Sequence, residues 1–324
     1  MGGPKLVGIA RMAEESELLE AKQRVDYREI EARSYITKCP SPYRENLWTV
    51  NPYRGCEFGC RYCYARYAHE FMELRDPVLF ETKIFAKRFR ASQFRADLAK
   101  VPRNHAIWIG TATDPYQPAE RRYCITRRML AVAAQSGGHK IGITTKSDLV
   151  ARDVDLLRQV SRSNIVHVNL TITTLDEPLA RLLEPRAPRP ALRIGAIRRL
   201  AENGIRTTAL IHPIMPFIND SDEQIEAVVA AAVEAGVVSF SAAALFLKPC
   251  SRQVFLPFIE RYFPHLSFQY QELYRRRAYL EGEYPERITA LVRKLTEKYR
   301  LVRRGVAELP DEWPTDPQMG LFPG

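Results

Sequence analysis

An alternation of short apolar runs with helical patterns constrains the fold of this chain more than any other feature. Between residues 45 and 250, the strands predicted from these apolar runs begin at Leu47, Ala106, Lys140, Ile165, Arg206 and Val237. Strands that alternate with helices form right-handed β-α-β units, and such units build a parallel sheet. The alternation therefore predicts an α/β fold of six repeats, and a chain of 324 residues commonly forms one barrel of this kind.

The two ends of the chain do not follow this alternation. Residues 13–34 place apolar side chains at helical spacing among charged ones, which predicts a charged helix within an N-terminal helical or extended segment, 1–44. Residues 251–305 are rich in aromatic and basic side chains and predict a mainly helical extension. Residues 306–324 are punctuated by Pro and Gly and predict an extended tail. We therefore expect a central unit over 45–250 with smaller flanking segments.

Three cysteines, Cys56, Cys60 and Cys63, lie close together in the loop after the first predicted strand. Thiolates at C-x3-C-x2-C spacing can hold three irons of a [4Fe–4S] cluster and leave the fourth iron open to an outside ligand. Zinc is the alternative, with His69 as the candidate fourth ligand. Closed zinc sites usually pair two short hairpins, however, and the sequence has no second C-x-x-C pair. The spacing thus favours an iron–sulfur cluster over zinc.

Polar residues follow four of the predicted strands, at the point where each strand ends. These polar groups are 110–115, 144–147, 171–174 and 212–220. In parallel α/β folds the loops at the carboxyl ends of the strands converge and hold the chemistry. We therefore expect these groups to meet the cysteine loop at one site.

Composition and charge narrow the classes of function. The chain is 46% hydrophobic and 27% charged, as in ordinary globular proteins. No window approaches the roughly 18 consecutive apolar residues that a membrane span needs, and the N-terminus does not resemble a signal peptide. Six cysteines, half of them clustered, favour a reducing compartment, so a cytoplasmic protein is expected. The formal net charge of +10 favours a polyanionic partner, with a generally solvated basic surface as the alternative.

The run Asn-Pro-Tyr-Arg-Gly-Cys-Glu-Phe-Gly-Cys-Arg-Tyr-Cys-Tyr-Ala-Arg at 51–66 resembles the cluster loop of the radical SAM superfamily. Its form is most similar to the spore photoproduct lyase-like branch. Three further runs, at 113–120, 183–188 and 213–220, look like signatures of bacterial members of that branch. The resemblance implies a partial (β/α)6 TIM-type barrel, and composition adds to it the basic, mainly helical C-terminal extension. It also implies a [4Fe–4S] cluster that cleaves S-adenosylmethionine (SAM) to a 5′-deoxyadenosyl radical, with an external electron donor.

The same resemblance implies which residues contact SAM. The candidates lie in the cluster loop or at strand ends, and they are Tyr62, Gly110, Thr111, Asp114, Lys146, Thr171 and Thr173. Lys146 would neutralise the SAM carboxylate, and Tyr62 would pack on the adenine. The superfamily often has a Gly-Gly-Glu-like run where this chain has Gly-Thr-Ala-Thr-Asp, which leaves individual roles open. Core packing of the tyrosine and threonines, and a solvated Lys146, are the alternatives.

The substrate is the least constrained part of the prediction. Photoproduct lyases split a thymine dimer in DNA and have a hydrogen-donating cysteine near the end of the second strand. Here that strand ends without a cysteine, so Cys124, ten residues beyond Asp114, is the candidate donor and the same route is in doubt. The resemblance and the charge predict a nucleic acid, and a DNA lesion in particular. Radical modification of RNA or protein, and a non-catalytic zinc- or cluster-containing binder, are the alternatives.

Two C-terminal features also favour DNA. Aromatic residues crowd 255–280 among arginines and could stack on exposed bases, although aromatics at helical spacing usually pack in a core. The segment Gln318–Phe322 resembles the Gln-x-x-Leu-Phe peptide by which bacterial repair and replication proteins dock on the sliding clamp. Short motifs of this kind also arise by chance.

Overall fold

The computed structural model describes residues 6–22, 25–39, 46–103 and 105–301, and its strands form two sheets. The strands are β1 (Glu17–Lys22), β2 (Val25–Ile30), β3 (Ile36–Lys38), β4 (Leu47–Val50), β5 (Tyr53–Arg54), β6 (Lys83–Lys87), β7 (Ala106–Ile109), β8 (Lys140–Thr145), β9 (Ile165–Thr171), β10 (Arg206–Ile214) and β11 (Ser239–Ala244).

Helices connect most of these strands. They are α1 (Gly8–Glu14), α2 (Tyr67–Glu70), α3 (Leu79–Thr82), α4 (Ala91–Ala99), α5 (Pro118–Tyr123), α6 (Ile125–Ala133), α7 (Val154–Val160), α8 (Glu177–Leu183), α9 (Pro190–Glu202), α10 (Asp222–Glu234), α11 (Pro249–Tyr262), α12 (Ser267–Leu273) and α13 (Glu283–Lys298). Short 3₁₀ helices cover Tyr64–Arg66, Asp148–Asp153 and Pro264–Leu266. Among the described residues, no helix has the length and apolar character needed to cross a membrane.

The larger sheet confirms the six predicted repeats. Its order is β11-β10-β9-β8-β7-β4-β3, and every neighbouring pair from β11 to β4 is parallel. Only β3, which pairs antiparallel with β4, departs from this arrangement. The β-α alternation of the sequence therefore forms the partial barrel of six parallel strands, and all the strand ends that were predicted to be functional lie at its carboxyl edge.

The smaller sheet overturns the helix predicted for 13–34. Helix α1 ends at Glu14, and β1 and β2 follow as an antiparallel pair. The order of this sheet is β1-β2-β6-β5. Val25, Tyr27 and Ile30 are buried residues of β2, and β2 pairs with β6, which is distant in the sequence. The prediction failed because this long-range strand pairing outweighs the helical spacing of the apolar residues. The boundary at residue 44 stays a prediction, and β2 pairs across it.

Local sequence signals explain where several helices begin. Ser221 precedes α10 and forms a capping box with Gln224, so that two backbone N–H groups are satisfied. Pro118, Pro190 and Pro249 open α5, α9 and α11, where the missing N–H of proline costs nothing.

The C-terminal region is helical, as predicted, and most of its aromatic side chains are core. Phe255, Phe258, Tyr270 and Tyr274 are buried in one hydrophobic cluster together with residues of the cysteine loop. Tyr262, Phe268 and Tyr279 are exposed. Base stacking by the whole aromatic region is therefore excluded, and only its exposed members are available to a partner.

Candidate active site

The carboxyl ends of the parallel strands and the cysteine loop enclose one cavity of about 250 Å³. Most of the predicted site residues line it, and these are Cys56, Cys60, Cys63, Tyr62, Gly110, Thr111, Asp114, Lys146 and Thr171. The cavity thus has thiols from the loop after β5 on its wall, together with polar groups at or just beyond the ends of β7, β8 and β9. The lining is mostly apolar, and its polar members are the thiols, several threonine hydroxyls, the Asp114 carboxylate and the Lys146 ammonium group.

Close backbone approach shapes the entry to the cysteine loop. Gly55 has φ +81°, and a Cβ at this position would lie 2.7 Å from the Lys83 carbonyl oxygen. The next residue, Cys56, donates its N–H to the Phe80 carbonyl at 2.8 Å. Glycine is required here because both the positive φ and the contact with backbone exclude a side chain.

The loop is held from outside by the segment 183–186, one of the runs noted in the sequence. Arg61 donates its N–H to the Leu183 carbonyl at 2.9 Å, and Arg186 donates its N–H to the Phe58 carbonyl at 3.2 Å. From within, the buried Arg66 guanidinium donates to the Cys60 carbonyl at 3.0 Å. These bonds fix the backbone of the loop on both sides.

The donor set fits an iron–sulfur cluster. Burial raises the pKa of the Cys56 thiol well above its ordinary value and that of Cys60 to about 12, so metal binding must release their protons. Among the described residues, no three His, Cys, Asp or Glu side chains converge as ligands of a single ion. A cluster makes a different demand, since each thiolate binds its own iron, and soft thiolates suit iron and sulfide.

His69, the candidate fourth ligand for zinc, lies away from the cavity. Its Nε2 is 3.0 Å from the Lys83 carbonyl oxygen, and its ring packs against Phe80 and Phe85. Burial lowers the pKa of His69 to about 4, so the imidazole is neutral at pH 7. His69 is a core residue beneath the loop.

Asp114 ties the loop after β7 to the end of β8. Its carboxylate accepts hydrogen bonds from the Thr145 hydroxyl at 2.6 Å and from the N–H groups of Lys146 at 2.7 Å and Tyr116 at 2.9 Å. Burial raises the pKa of Asp114, although these hydrogen bonds act to lower it. Gly110 precedes this turn with φ +92°, and a Cβ there would lie 2.5 Å from the Thr144 carbonyl oxygen.

Glu184 is a second buried carboxylate at the site, and no role for it was predicted. It accepts hydrogen bonds from the Tyr62 hydroxyl, from Thr173 Oγ1 at 2.7 Å and from the Arg193 guanidinium. Burial acts to raise the pKa of Glu184, but Arg193 and Lys146 outweigh it and hold the pKa below its ordinary value. Glu184 is therefore a charged anchor for the tyrosine of the cluster loop.

Lys146 brings positive charge to the cavity wall. Its Nζ lies 5.5 Å from the centroid of the Tyr62 ring. Burial acts to lower the pKa of Lys146, but Cys60 and Glu184 outweigh it and raise the pKa above the ordinary lysine value. The ammonium group is therefore charged at pH 7 and available to an anionic group in the cavity.

Two predicted residues lie elsewhere. Thr173 sits behind the cavity wall, where its hydroxyl bonds Glu184 and lies 3.1 Å from the Tyr62 hydroxyl. Cys124 lies at the junction of α5 and α6 in a left-handed conformation, with its Sγ 3.9 Å from Arg152 Nη1. The structure therefore brings neither side chain to the cavity that the cluster thiols line.

Three residues of the site were not predicted: Tyr64 and Phe246 line the cavity, and Arg193 supports it through Glu184. His212, from the polar group predicted at 212–220, lines the cavity as expected. The signal for Glu184 was its place in the run 183–188, which resembles a family signature. Arg193 gave no such signal, since it lies in an ordinary helical pattern and becomes buried only through tertiary packing.

Comparison with known proteins identifies the family. A sequence model described as "Radical SAM superfamily" matches residues 50–229. An uncharacterised protein of Mycobacterium tuberculosis is 32% identical over 282 residues, which cover 86% of this chain and 82% of that protein. An uncharacterised protein of Methanocaldococcus jannaschii is 31% identical over 177 residues, which cover 53% of this chain and 62% of that protein.

Solved structures show the same fold. A structure of spore photoproduct lyase complexed with dinucleoside spore photoproduct has a TM-score of 0.65 at 13% identity and covers 92% of this chain and 84% of that chain. A double mutant of spore photoproduct lyase, solved with bound AdoMet and the dinucleoside photoproduct, has a TM-score of 0.64 at 13% identity, with the same coverage. At this identity the likeness describes the fold.

Proposed function

This chain belongs to the radical SAM superfamily, and on that premise we propose that the enzyme acts on a nucleic acid, and on a DNA lesion in particular. Its cofactors are a [4Fe–4S] cluster and SAM, as in the rest of the family. When bound, the cluster supplies the electron that cleaves SAM to a 5′-deoxyadenosyl radical, which removes a hydrogen atom from the substrate. The protein supplies orientation, charge and exclusion of water.

In this proposal Cys56, Cys60 and Cys63 hold the cluster, because their thiols lie on the wall of the cavity. Lys146 binds the carboxylate of SAM, since it faces the same cavity and keeps its charge at pH 7. Asp114 also lines this cavity and stays a candidate contact of SAM. Its carboxylate accepts three hydrogen bonds from the chain, which hold the Lys146 backbone in place beside it.

The remaining contacts come from the strand ends and the loop. Gly110, Thr111 and Thr171 line the cavity, and their backbone or hydroxyl groups are suited to the amine and ribose of SAM. Tyr62 lines the cavity, and its hydroxyl is held by Glu184. Tyr62 therefore offers an immobilised aromatic face to the adenine.

The observation that supports a nucleic acid most strongly is the shared fold with spore photoproduct lyase, a protein solved with a dinucleoside photoproduct bound. Charge supports the same substrate class. The formal net charge is +10, and residues 261–304 contain 11 Lys or Arg against 5 acids. Such a basic surface attracts phosphates and gives salt-dependent binding.

Deuterium transfer tests this function directly. The enzyme is reconstituted anaerobically with iron and sulfide and is then given dithionite and SAM. Three deuterated substrate pools are tested separately: ultraviolet-irradiated DNA, tRNA and peptide. We expect deuterium in 5′-deoxyadenosine only with DNA, and no 5′-deoxyadenosine from a Cys60→Ala control. Transfer from tRNA or peptide alone would reassign the substrate, and absence of SAM cleavage in the wild type would refute the proposed chemistry.

We also propose the sliding clamp as a partner, through Gln318–Phe322. This segment lies outside the described residues, so the proposal rests on the sequence motif. A paired Leu-Phe anchor is suited to an apolar pocket. Replacing Leu321 and Phe322 with Ala should abolish pull-down of the clamp and leave iron content unchanged, and undiminished pull-down would refute the interaction.

A further inference from the structure

Five aromatic rings follow one another across the edge of the cavity, and we call this row the aromatic ladder. In order, its members are Phe71, Tyr67, Tyr64, Phe246 and Tyr279. Successive ring centroids are 5.9, 6.4, 5.3 and 5.0 Å apart. These spacings are those of direct ring contact, so the ladder is continuous. It joins residues that are far apart in the sequence, and no local pattern predicts it.

The ladder is both exposed and continuous with the active site. Phe71, Tyr64 and Tyr279 expose 62%, 38% and 59% of their surfaces. Tyr64 and Phe246 also line the cavity that holds the cluster cysteines. A molecule that lies on the ladder therefore reaches the cavity without crossing other protein surface.

The outer end of the ladder is held in place by backbone contacts. Leu247 donates its N–H to the Ala278 carbonyl at 2.8 Å, and the buried Tyr274 donates its hydroxyl to the Leu245 carbonyl at 2.8 Å. These bonds keep Tyr279 beside Phe246, with the two rings stacked at an interplanar angle of 13°. A fixed, exposed ring face loses little entropy when a flat ligand stacks on it.

Positive charge accompanies the rings. Lys248 Nζ lies 4.1 Å from the centroid of the Tyr67 ring, and Arg275, Arg276 and Arg277 are exposed just before Tyr279. Two of these arginines have acidic partners, Glu272 for Arg275 and Glu281 for Arg277. Rings flanked by cations are the combination that binds single-stranded nucleic acids, because the bases stack while the phosphates are neutralised.

We propose that the aromatic ladder binds unpaired nucleobases, so that the enzyme takes single-stranded nucleic acid or nucleotides extruded from a duplex. This inference rests on the proposed function and adds the form of the substrate. In a duplex the faces of the bases are hidden by stacking, and a ring can reach them only after the base leaves the stack. The ladder then delivers the base to the cavity edge at Tyr64 and Phe246, while Lys248 contacts the phosphate backbone.

Fluorescence anisotropy with the cluster-loaded enzyme tests the ladder. The probe is a short fluorescein-labelled oligonucleotide, offered as single-stranded DNA, as RNA of the same sequence and as the DNA duplex. Phe246→Leu and Tyr279→Leu each remove one ring, and Phe268→Leu is the matched control, since Phe268 is 74% exposed on α12 and outside the ladder. Each ladder variant should weaken single-strand binding roughly 5- to 150-fold.

The control variant should bind the single strand as the wild type does, and the duplex should bind more weakly than the single strand. Melting temperature and iron content identify a variant that has lost its fold. Lys248→Gln then gives a second measurement, because the loss of one phosphate contact should reduce the salt dependence of binding by about one unit of slope.

The outcomes separate the inference from the proposed function. If the wild type binds none of the oligonucleotides, both fail. If it binds them but the ladder variants bind equally well, the ladder is refuted and the proposed function stands. Equal affinity for duplex and single strand refutes the preference for unpaired bases. Tighter binding of RNA than of DNA supports the ladder and refutes the assignment to DNA.

Discussion

Asp114 and Glu184 are two buried carboxylates beside the same lysine, and their environments act on them in opposite directions. Each accepts hydrogen bonds from three groups of the chain, and both raise the pKa of Lys146. Yet the pKa of Asp114 is raised by burial, whereas that of Glu184 is held below its ordinary value by Arg193 and Lys146. The number of hydrogen bonds that a buried acid accepts therefore does not by itself determine the direction in which its pKa is shifted.

The difference lies in the charge of the donors. Asp114 receives one hydroxyl and two peptide N–H groups, all neutral, so the cost of burying its charge is only partly offset. Glu184 receives two hydroxyls and a guanidinium that is itself 1% exposed. Asp114 therefore holds the backbone of the loops around it, whereas Glu184 balances the positive charges of Arg193 and Lys146. Each can be tested by removing one acid at a time.

Glu184→Ala should produce the largest effect. It leaves Arg193 buried without its partner, and such a loss costs about 3–5 kcal/mol of unfolding free energy. Urea denaturation of the cluster-free protein measures it. Glu234→Ala is the control, because its ion pair with Arg198 is exposed at 3.5 Å and should contribute about 1 kcal/mol or less. Equal losses in the two variants would refute the charge-balancing role of Glu184.

Asp114→Asn should cost less, about 1–3 kcal/mol, in the same denaturation experiment. The amide nitrogen replaces one acceptor oxygen, so either the Lys146 N–H loses its acceptor, or the Thr145 hydroxyl and the Tyr116 N–H lose theirs together. The charge that burial disfavours disappears at the same time, which offsets part of the loss. A loss greater than that of Glu184→Ala would reverse the comparison.

The two acids also show what the sequence can and cannot predict. Asp114 was found because it follows a strand whose apolar pattern and order are local properties, and the same reasoning found the six repeats and Lys146. Glu184 was seen only as part of a run of unknown role, since its importance depends on Arg193, Thr173 and Tyr62 meeting it in space. The smaller sheet was missed for the same reason, because β2 is stabilised by pairing with β6, more than 50 residues away.

Stability should depend on pH with opposite sign at the two acids. The lowered pKa of Glu184 means that its contribution is present above the ordinary glutamate pKa and is lost as pH falls through the folded-state value. The raised pKa of Asp114 means that its contribution is present at low pH and is lost as pH rises through the folded-state value. Each slope is at most about 1.4 kcal/mol per pH unit, the limit for one proton.

Denaturation of wild type, Glu184→Gln and Asp114→Asn between about pH 3 and pH 6 measures these slopes, since both ordinary pKa values fall in this window. The stability difference between wild type and Glu184→Gln should grow as pH rises, and that between wild type and Asp114→Asn should shrink. Two differences that change in the same direction would show that the acids share one environment.

Tyr62→Phe should have the smallest effect on the free energy of unfolding. It also separates the role of the Tyr62 hydroxyl from the role of its ring. The substitution removes the hydroxyl that donates to Glu184, at a cost of about 1 kcal/mol, and keeps the ring that Lys146 faces at 5.5 Å. Glu184 retains Arg193 and Thr173, which is why the loss is smaller than that of removing the acid itself. Tyr262→Phe, on an exposed tyrosine of α11, should change stability by less than about 0.5 kcal/mol.

The affinity of the cluster-loaded Tyr62→Phe protein for SAM decides which part of Tyr62 matters to the cofactor. If the aromatic face is the contact, SAM affinity should stay within about threefold of wild type, a change of less than 1 kcal/mol. If affinity falls tenfold or more while stability changes little, the hydroxyl is the contact. In that case Glu184 acts on SAM through Tyr62, and the charge-balancing region is part of the binding site as well as its support.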